Sequence, residues 1–188
     1  MQNPGEELVG SYLREVLQCD FVEFNLRTKF AQGEIDVVGI NSDKKIAYIC
    51  EVTTHLAGLQ YVNDDKPDNV RRLVEKFRKD IEYARKFLPN FECKFMFWSP
   101  IVKKPRSAKA KNNQSKDVEN IKNLLKEKYN VDLQVIINSE YLKCIKKLRT
   151  VALQRTDEIK SPIMRFLQIE EKLVKHVKKL EEKHNKEQ

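Results

Sequence analysis

The order helix, three antiparallel strands, helix, strand, helix, strand, helix predicts an α/β (α+β mixed) fold. It is a central mixed β-sheet of about five strands flanked by helices, with a long C-terminal helix. Three observations carry this. "EIDVVGINSDKKIAYICEV" holds two Val/Ile-rich runs around an Asn-Ser-Asp turn, the pattern of an antiparallel hairpin. "DNVRRLVEKFRKDIEYARKFL" repeats apolar residues at three and four, and "ECKFMFWS" has almost no polar residue past Lys94.

The elements follow in order. A first helix is expected from about Gly5 to Gln18, with Leu8, Val9, Tyr12, Leu13 and Val16 as its apolar stripe. A strand near Phe21 to Phe30 follows, then "AQG" turns the chain into "EIDVVGI" and "NSDKK" turns it into "IAYICEV". The long helix has Pro67 in its first turn and buries Val70, Leu73, Val74, Phe77, Ile81, Ala84 and Leu88. "ECKFMFWS" reads as a central strand, "DVENIKNLLKEKY" as a helix, "VDLQVIIN" as a strand and "SEYLKCIKKLRTV" as a helix capped by Ser139. From Ser161 to Gln188 runs one charged helix in which Phe166, Ile169, Leu173, Val177 and Leu180 recur at three- and four-residue spacing. Its use is packing on the body or, in the sharper reading, a short coiled coil making a homodimer. The expected organisation is a core over 1–100, a basic loop over 101–116, a completing helix-strand-helix over 117–155 and the charged helix over 156–188.

Composition bounds the function. The chain has 188 residues, enough for one compact domain, and a formal net charge of +8. No apolar run could span a bilayer, and "MQNPGEELVG" lacks the regions of a secretory signal, so a cytoplasmic protein is expected. Cys19, Cys50, Cys93 and Cys144 show no zinc spacing, and Cys50 is expected in the core. The stretch from Lys103 to Lys116 holds six basic residues and no acid, among them Lys103, Lys104, Arg106, Lys109 and Lys111. "KCIKKLR", Lys143 to Arg149, adds four. These are candidate phosphate contacts on a polyanionic partner, or a solvated loop and an ordinary helix face.

Two carboxylates sit where strands want apolar residues. With the turn near Ser42 and Asp43, positions that sum to 87 pair, so Val38 faces Ile49 and Asp36 faces Glu51. Opposed side chains share a face with Cβ atoms roughly 5 Å apart. Strand alternation adds Thr53 to that face and turns Val37, Tyr48 and Cys50 away. Ionised carboxylates this close repel, and a divalent cation such as Mg2+ (or Mn2+) removes the conflict. The alternative is a solvent-facing edge with two unrelated acids. If Ala31 and Gln32 form the preceding turn, Arg27 pairs with Asp36 and Lys29 with Glu34, which places Arg27 and Lys29 on the carboxylate face.

At "GEELVGSYL" (Gly5 to Leu13), "GEID" (Gly33 to Asp36) and "CEVTTH" (Cys50 to His55) the sequence resembles the PD-(D/E)xK, or restriction-endonuclease-like, nuclease superfamily, in its resolvase-like and Mrr-like bacterial branches. The resemblance covers roughly the first hundred residues. It implies a Mg2+-dependent endonuclease hydrolysing phosphodiester bonds in DNA. Asp36, Glu51 and the carbonyl of Val52 would hold the metal, and Glu6, or adjacent Glu7, would assist from the first helix. The family's lysine, two residues after the strand glutamate, is Thr53 here. Threonine carries no charge and is a poor base. Three outcomes follow: a displaced lysine such as Lys29 reaches the site, the metal works alone, or the domain binds DNA without cutting. His55 is a weaker candidate base.

Overall fold

The structure, a computed structural model, describes residues 3–27, 33–64, 66–105 and 113–185. Helix α1 (Pro4–Glu15) begins where Asn3 caps it, its side chain accepting from Gly5 N at 2.9 Å, with Pro4 in the first turn. It ends before the expected Gln18, which adopts a left-handed conformation (φ 58°) as the chain turns. Strands β1 (Phe21–Arg27), β2 (Glu34–Asn41) and β3 (Ile46–Val52) form an antiparallel meander. A two-residue pair, β4 (Val62–Asn63) with β5 (Lys66–Pro67), precedes α2 (Asn69–Phe87). Strand β6 (Glu92–Ser99), α3 (Gln114–Tyr129), β7 (Gln134–Ile137), α4 (Asn138–Gln154) and α5 (Pro162–His184) complete the chain.

The sheet order is β1-β2-β3-β6-β7. β3, β6 and β7 run parallel, with α2 and α3 as the crossovers. One face carries a core shared by α2 and α3, with Leu73, Phe77, Ile81, Val118, Ile121 and Leu125 against Ile49, Phe95 and Phe97. The other is covered by α1, α4 and the start of α5 over Val37, Cys50 and Trp98. Trp98 is fully buried between Tyr12 and Tyr141, with ring centroids 5.3 and 6.0 Å away. Each large apolar side chain buried this way contributes about 1.5–3 kcal/mol. The mixed α/β class, its five-stranded sheet and the long last helix are as the sequence predicts. All four cysteines are free, and Cys50 is in the core.

Three local expectations are corrected. Pro67 lies in β5 rather than in the first turn of α2, because Asp68 takes the cap position and pairs with Arg71 and Arg72. Ser139 does not cap α4, whose first residue is Asn138. Asn138 is left-handed (φ 49°), and its amide bonds the Val102 backbone twice, at 2.9 and 3.1 Å. The stripe on α5 does not pack on the body: all five of its residues, Phe166, Ile169, Leu173, Val177 and Leu180, are exposed, and Met164, Leu167 and Gln168 are the buried residues. Among the described residues, no helix is long and apolar enough to cross a membrane.

Candidate active site

The β2–β3 register is the expected one. Val37 pairs with Cys50, Val38 with Ile49 and Asn41 with Ile46. The turn is set by Asn41, whose Oδ1 accepts from Lys44 N at 2.9 Å, and by left-handed Lys45 (φ 52°). Asp36 and Glu51 stand at the open end of this ladder, where Val52 N donates to Asp36 Oδ2 at 2.7 Å. Thr53 follows on the same strand line, anchored by its N–H to Trp98 O at 2.8 Å.

The first hairpin differs. Arg27 pairs with Glu34, not Asp36, and its guanidinium lies 3.7 Å from the Glu34 carboxylate, out in solvent. The pairing is offset by two positions from the expected one along the whole strand, from Phe21–Ile40 to Arg27–Glu34, and left-handed Asn25 (φ 51°) is missing from it between Phe24 and Leu26. Asn25 then donates to Glu6 Oε2 at 3.1 Å. Glu6 is thereby turned toward the acids, and neighbouring Glu7 instead accepts from Ser161 at 2.8 Å. Of the two first-helix glutamates, Glu6 belongs to the cluster.

The cation on the carboxylate face comes from α2. Lys76 Nζ lies 3.4 and 3.5 Å from the Asp36 oxygens and forms an ion pair with Glu51. One helical turn on, Asp80 is buried beside them. Glu51 is only 1% exposed, and its Oε1 accepts no hydrogen bond. The hydroxyl of Thr53 and Oδ2 of Asp80 are likewise buried without a hydrogen-bond partner among the described residues.

Burial dominates the electrostatics. It pushes the Glu51 carboxyl well up, with the Asp80 charge adding and the Lys76 ammonium opposing. It also raises Asp80, against the Glu51 contact and the Lys76 charge. Glu6 is raised by burial and by Asp36, and Asn25 offsets part of this. Burial works against the Lys76 ammonium too, but the Glu51 and Asp36 charges outweigh it and hold it protonated. Asp36, Glu51 and Asp80 thus gather around the Lys76 ammonium, with Glu6 at the edge and the Lys79 charge also acting on Asp80.

The donor set suits a divalent ion. Asp36 and Glu51 offer hard oxygens, and Glu51 Oε1 lacks a partner. Among the described residues, no group of three or more His, Cys, Asp or Glu is placed to hold a metal by itself. An ion here would therefore have two carboxylates, Asp36 and Glu51, to rest on. The groove of about 900 Å³ between α2 and α3, lined by Asp68, Asn69, Arg71 and Asp117, contains none of these groups.

Of the basic loop, Lys103 and Lys104 are described and exposed. Lys29, Arg106, Lys109 and Lys111 lie outside the described residues, as does the turn at Ala31 and Gln32. Lys103 and Lys104 follow the end of β6, the strand whose Trp98 carbonyl accepts from Thr53 N. Gln114 ties that segment to the loop after β3, bonding Lys103 N at 2.9 Å and Leu59 N and O at 3.1 Å. Gly58 (φ 91°) makes room, since a Cβ there would fall 2.3 Å from Gln114 Oε1. The second basic stretch lies in α4 and is partly neutralised there: Lys143 pairs with Glu140 and Arg149 with Glu170. His55 is exposed in the turn after β3, where its carbonyl accepts from Gly58 N.

Sequence reasoning missed Asn25, Lys76 and Asp80. A signal for the last was present. Asp80 sits seven residues after Leu73 and three after Phe77, inside the stripe that α2 buries, and Lys76 is four residues before it. A carboxylate on a buried helix stripe needs a partner of its own. Compared with protein-family models, with curated proteins and with solved structures, the chain matches none.

Proposed function

We propose that this chain is a metal-dependent nuclease hydrolysing phosphodiester bonds in DNA, on the PD-(D/E)xK plan, with Lys76 of α2 standing in for the strand lysine that Thr53 replaces. The observation that carries this reading is the Lys76 ammonium beside Asp36 and Glu51. Asp36 and Glu51 hold a Mg2+ ion, with the carbonyl of Val52 as a further ligand. That ion supplies a bound water of lowered pKa and positive charge for the scissile phosphate. Glu6, positioned by Asn25, accepts a hydrogen bond from water at the edge of the cluster. Lys76 presents its charge to the phosphate, and the unpartnered Thr53 hydroxyl donates to a phosphate oxygen. Lys103 and Lys104, on the same edge of the sheet, hold the backbone on either side.

The same ion pair favours a second reading, a DNA-binding module that does not cut. Lys76 already neutralises part of the carboxylate charge from within. One comparison separates the two. Wild-type protein is expected to bind Mn2+ in calorimetry and to nick DNA with Mg2+ or Mn2+, and Asp36→Ala is expected to lose both while retaining DNA. Wild-type protein that holds DNA yet neither binds Mn2+ nor cuts plasmid, linear, branched or single-stranded substrates would leave the second reading standing.

A further inference from the structure

Among the described residues, the side chains of helix α5 that are buried on the body lie in its first turns. Met164, Leu167 and Gln168 are buried there, and Arg149 of α4 reaches Glu170 at 3.0 Å. Gln168 is fully buried, with its amide donating to the carbonyls of Arg155 and Asp157. From Lys172 to Asn185 every residue is exposed, so none of these side chains is buried against the described part of the body. An isolated helical segment of this length is marginal in water.

The face turned away from the body is apolar. Phe166 (65% exposed), Ile169, Leu173 (57%), Val177 and Leu180 follow one another at spacings of three, four, four and three, which is a single stripe on an α-helix. A stripe that runs from the docked start of the helix along its exposed half, always on the face opposite Met164, Leu167 and Gln168, has the form of a helix-pair seam.

The charges beside the stripe say what covers it and in which direction. Helical geometry puts Arg165, Lys172, His176, Lys179 and Lys183 along one edge and Glu170, Val174 and Glu181 along the other. When two copies pair antiparallel about a two-fold axis, each edge lies against its own counterpart, so the basic edge would face itself. When they pair in parallel, the basic edge of one copy runs along the acid-bearing edge of the other. Arg165 then faces Glu170 of the second copy, and His176 faces Glu181. Both are five residues apart, the offset at which flanking charges meet in a parallel two-stranded coil. Identical apolar layers stack in register, Phe166 on Phe166 and Leu173 on Leu173.

We propose that a second copy of this chain covers the stripe, with the two α5 helices running parallel as a short two-stranded coil and the two bodies on its outer sides. This does not depend on the nuclease reading, because none of the carboxylate-site residues lies on α5. The seam is short, so the dimer is expected to dissociate on dilution.

The test uses the full chain. Sedimentation should show a monomer–dimer equilibrium for wild-type protein and loss of the dimer for Leu173→Glu, a change at an exposed position that leaves the body's packing intact. Orientation is read by oxidation. Leu180→Cys should form a disulfide-linked dimer with itself, since parallel strands bring the two copies of this residue together, whereas wild-type protein treated alongside should not. Wild-type protein that stays monomeric at every concentration would overturn the proposal, as would a dimer that persists in Leu173→Glu. Cross-linking of Leu173→Cys without cross-linking of Leu180→Cys would also overturn it, because only an antiparallel pair keeps position 173 close while separating position 180.

Discussion

Lys76 has two jobs that pull on different measurements. Its ammonium compensates Glu51, a carboxylate with one oxygen unpartnered, and under the nuclease proposal it would supply the positive charge that Thr53 cannot. Lys76→Met keeps most of the side-chain volume and removes the charge. Breaking a fully buried ion pair costs about 3–5 kcal/mol, and with Lys76 about one-third exposed the expected loss is about 2–3 kcal/mol by urea denaturation. Cleavage should fall about a hundredfold, the scale of one preorganised charge in a site, with DNA retention nearly unchanged. Cleavage at the wild-type rate would mean that another group fills the lysine's place. This residue was hidden from a reading along the strands, because the resemblance puts the lysine at Thr53, just past the end of β3, and Lys76 lies on a helix twenty-three residues later.

At the scale of elements, the cluster depends on how closely α1 lies on the meander. Gly39, in the middle of β2, faces α1 directly. A Cβ there would fall 2.8 Å from Leu13 Cδ1, 3.1 Å from Cys19 Sγ and 3.2 Å from Leu13 Cβ. Gly39→Ala would ordinarily help a strand, but these contacts force the helix away. The expected result is a loss of about 1–3 kcal/mol, read as a lower denaturation midpoint. A stabilised Gly39→Ala would show that α1 can shift without cost. The element scale also separates what the sequence could and could not tell about strand pairing. The β2–β3 register was legible, because the Asn-Ser-Asp turn and the alternation of two oily runs leave one pairing that buries both. The β1–β2 register was not, because the expected pairing rested on a turn at Ala31 and Gln32 that no composition signal fixes, and the observed pairing is offset from it by two positions throughout.

For the whole molecule, the carboxylate cluster sets a pH dependence of stability. Glu6, Glu51 and Asp80 all have raised pKa values in the folded protein, each chiefly through burial. Above the ordinary carboxylate range the folded state therefore keeps protons that the unfolded chain has released, and stability falls as pH rises toward the folded values. The raised Lys76 contributes stability that stays fully present below its unfolded pKa, so it does not vary in this window. Asp157, lowered to about 2 by Arg155, acts in the opposite sense only at more acidic pH. In chelator the unfolding free energy should drop from about pH 5 to about pH 7.5, by up to about 1.4 kcal/mol per pH unit for each proton retained, with the melting temperature falling alongside. A flat profile would mean that the acids are already ionised and compensated in the folded state.

The amino-acid order alone determined the fold class, the central hairpin and the meeting of Asp36 with Glu51. These follow from local periodicity, turn chemistry and the two-residue repeat of strands, all of which act over a few neighbours. The tertiary structure decided which charges complete the site, that Glu6 rather than Glu7 joins it, and that the last helix leaves its stripe uncovered. Those outcomes hang on how α1, α2 and α5 dock against the sheet. Docking is settled by contacts between residues far apart in the chain, and no local pattern encodes them.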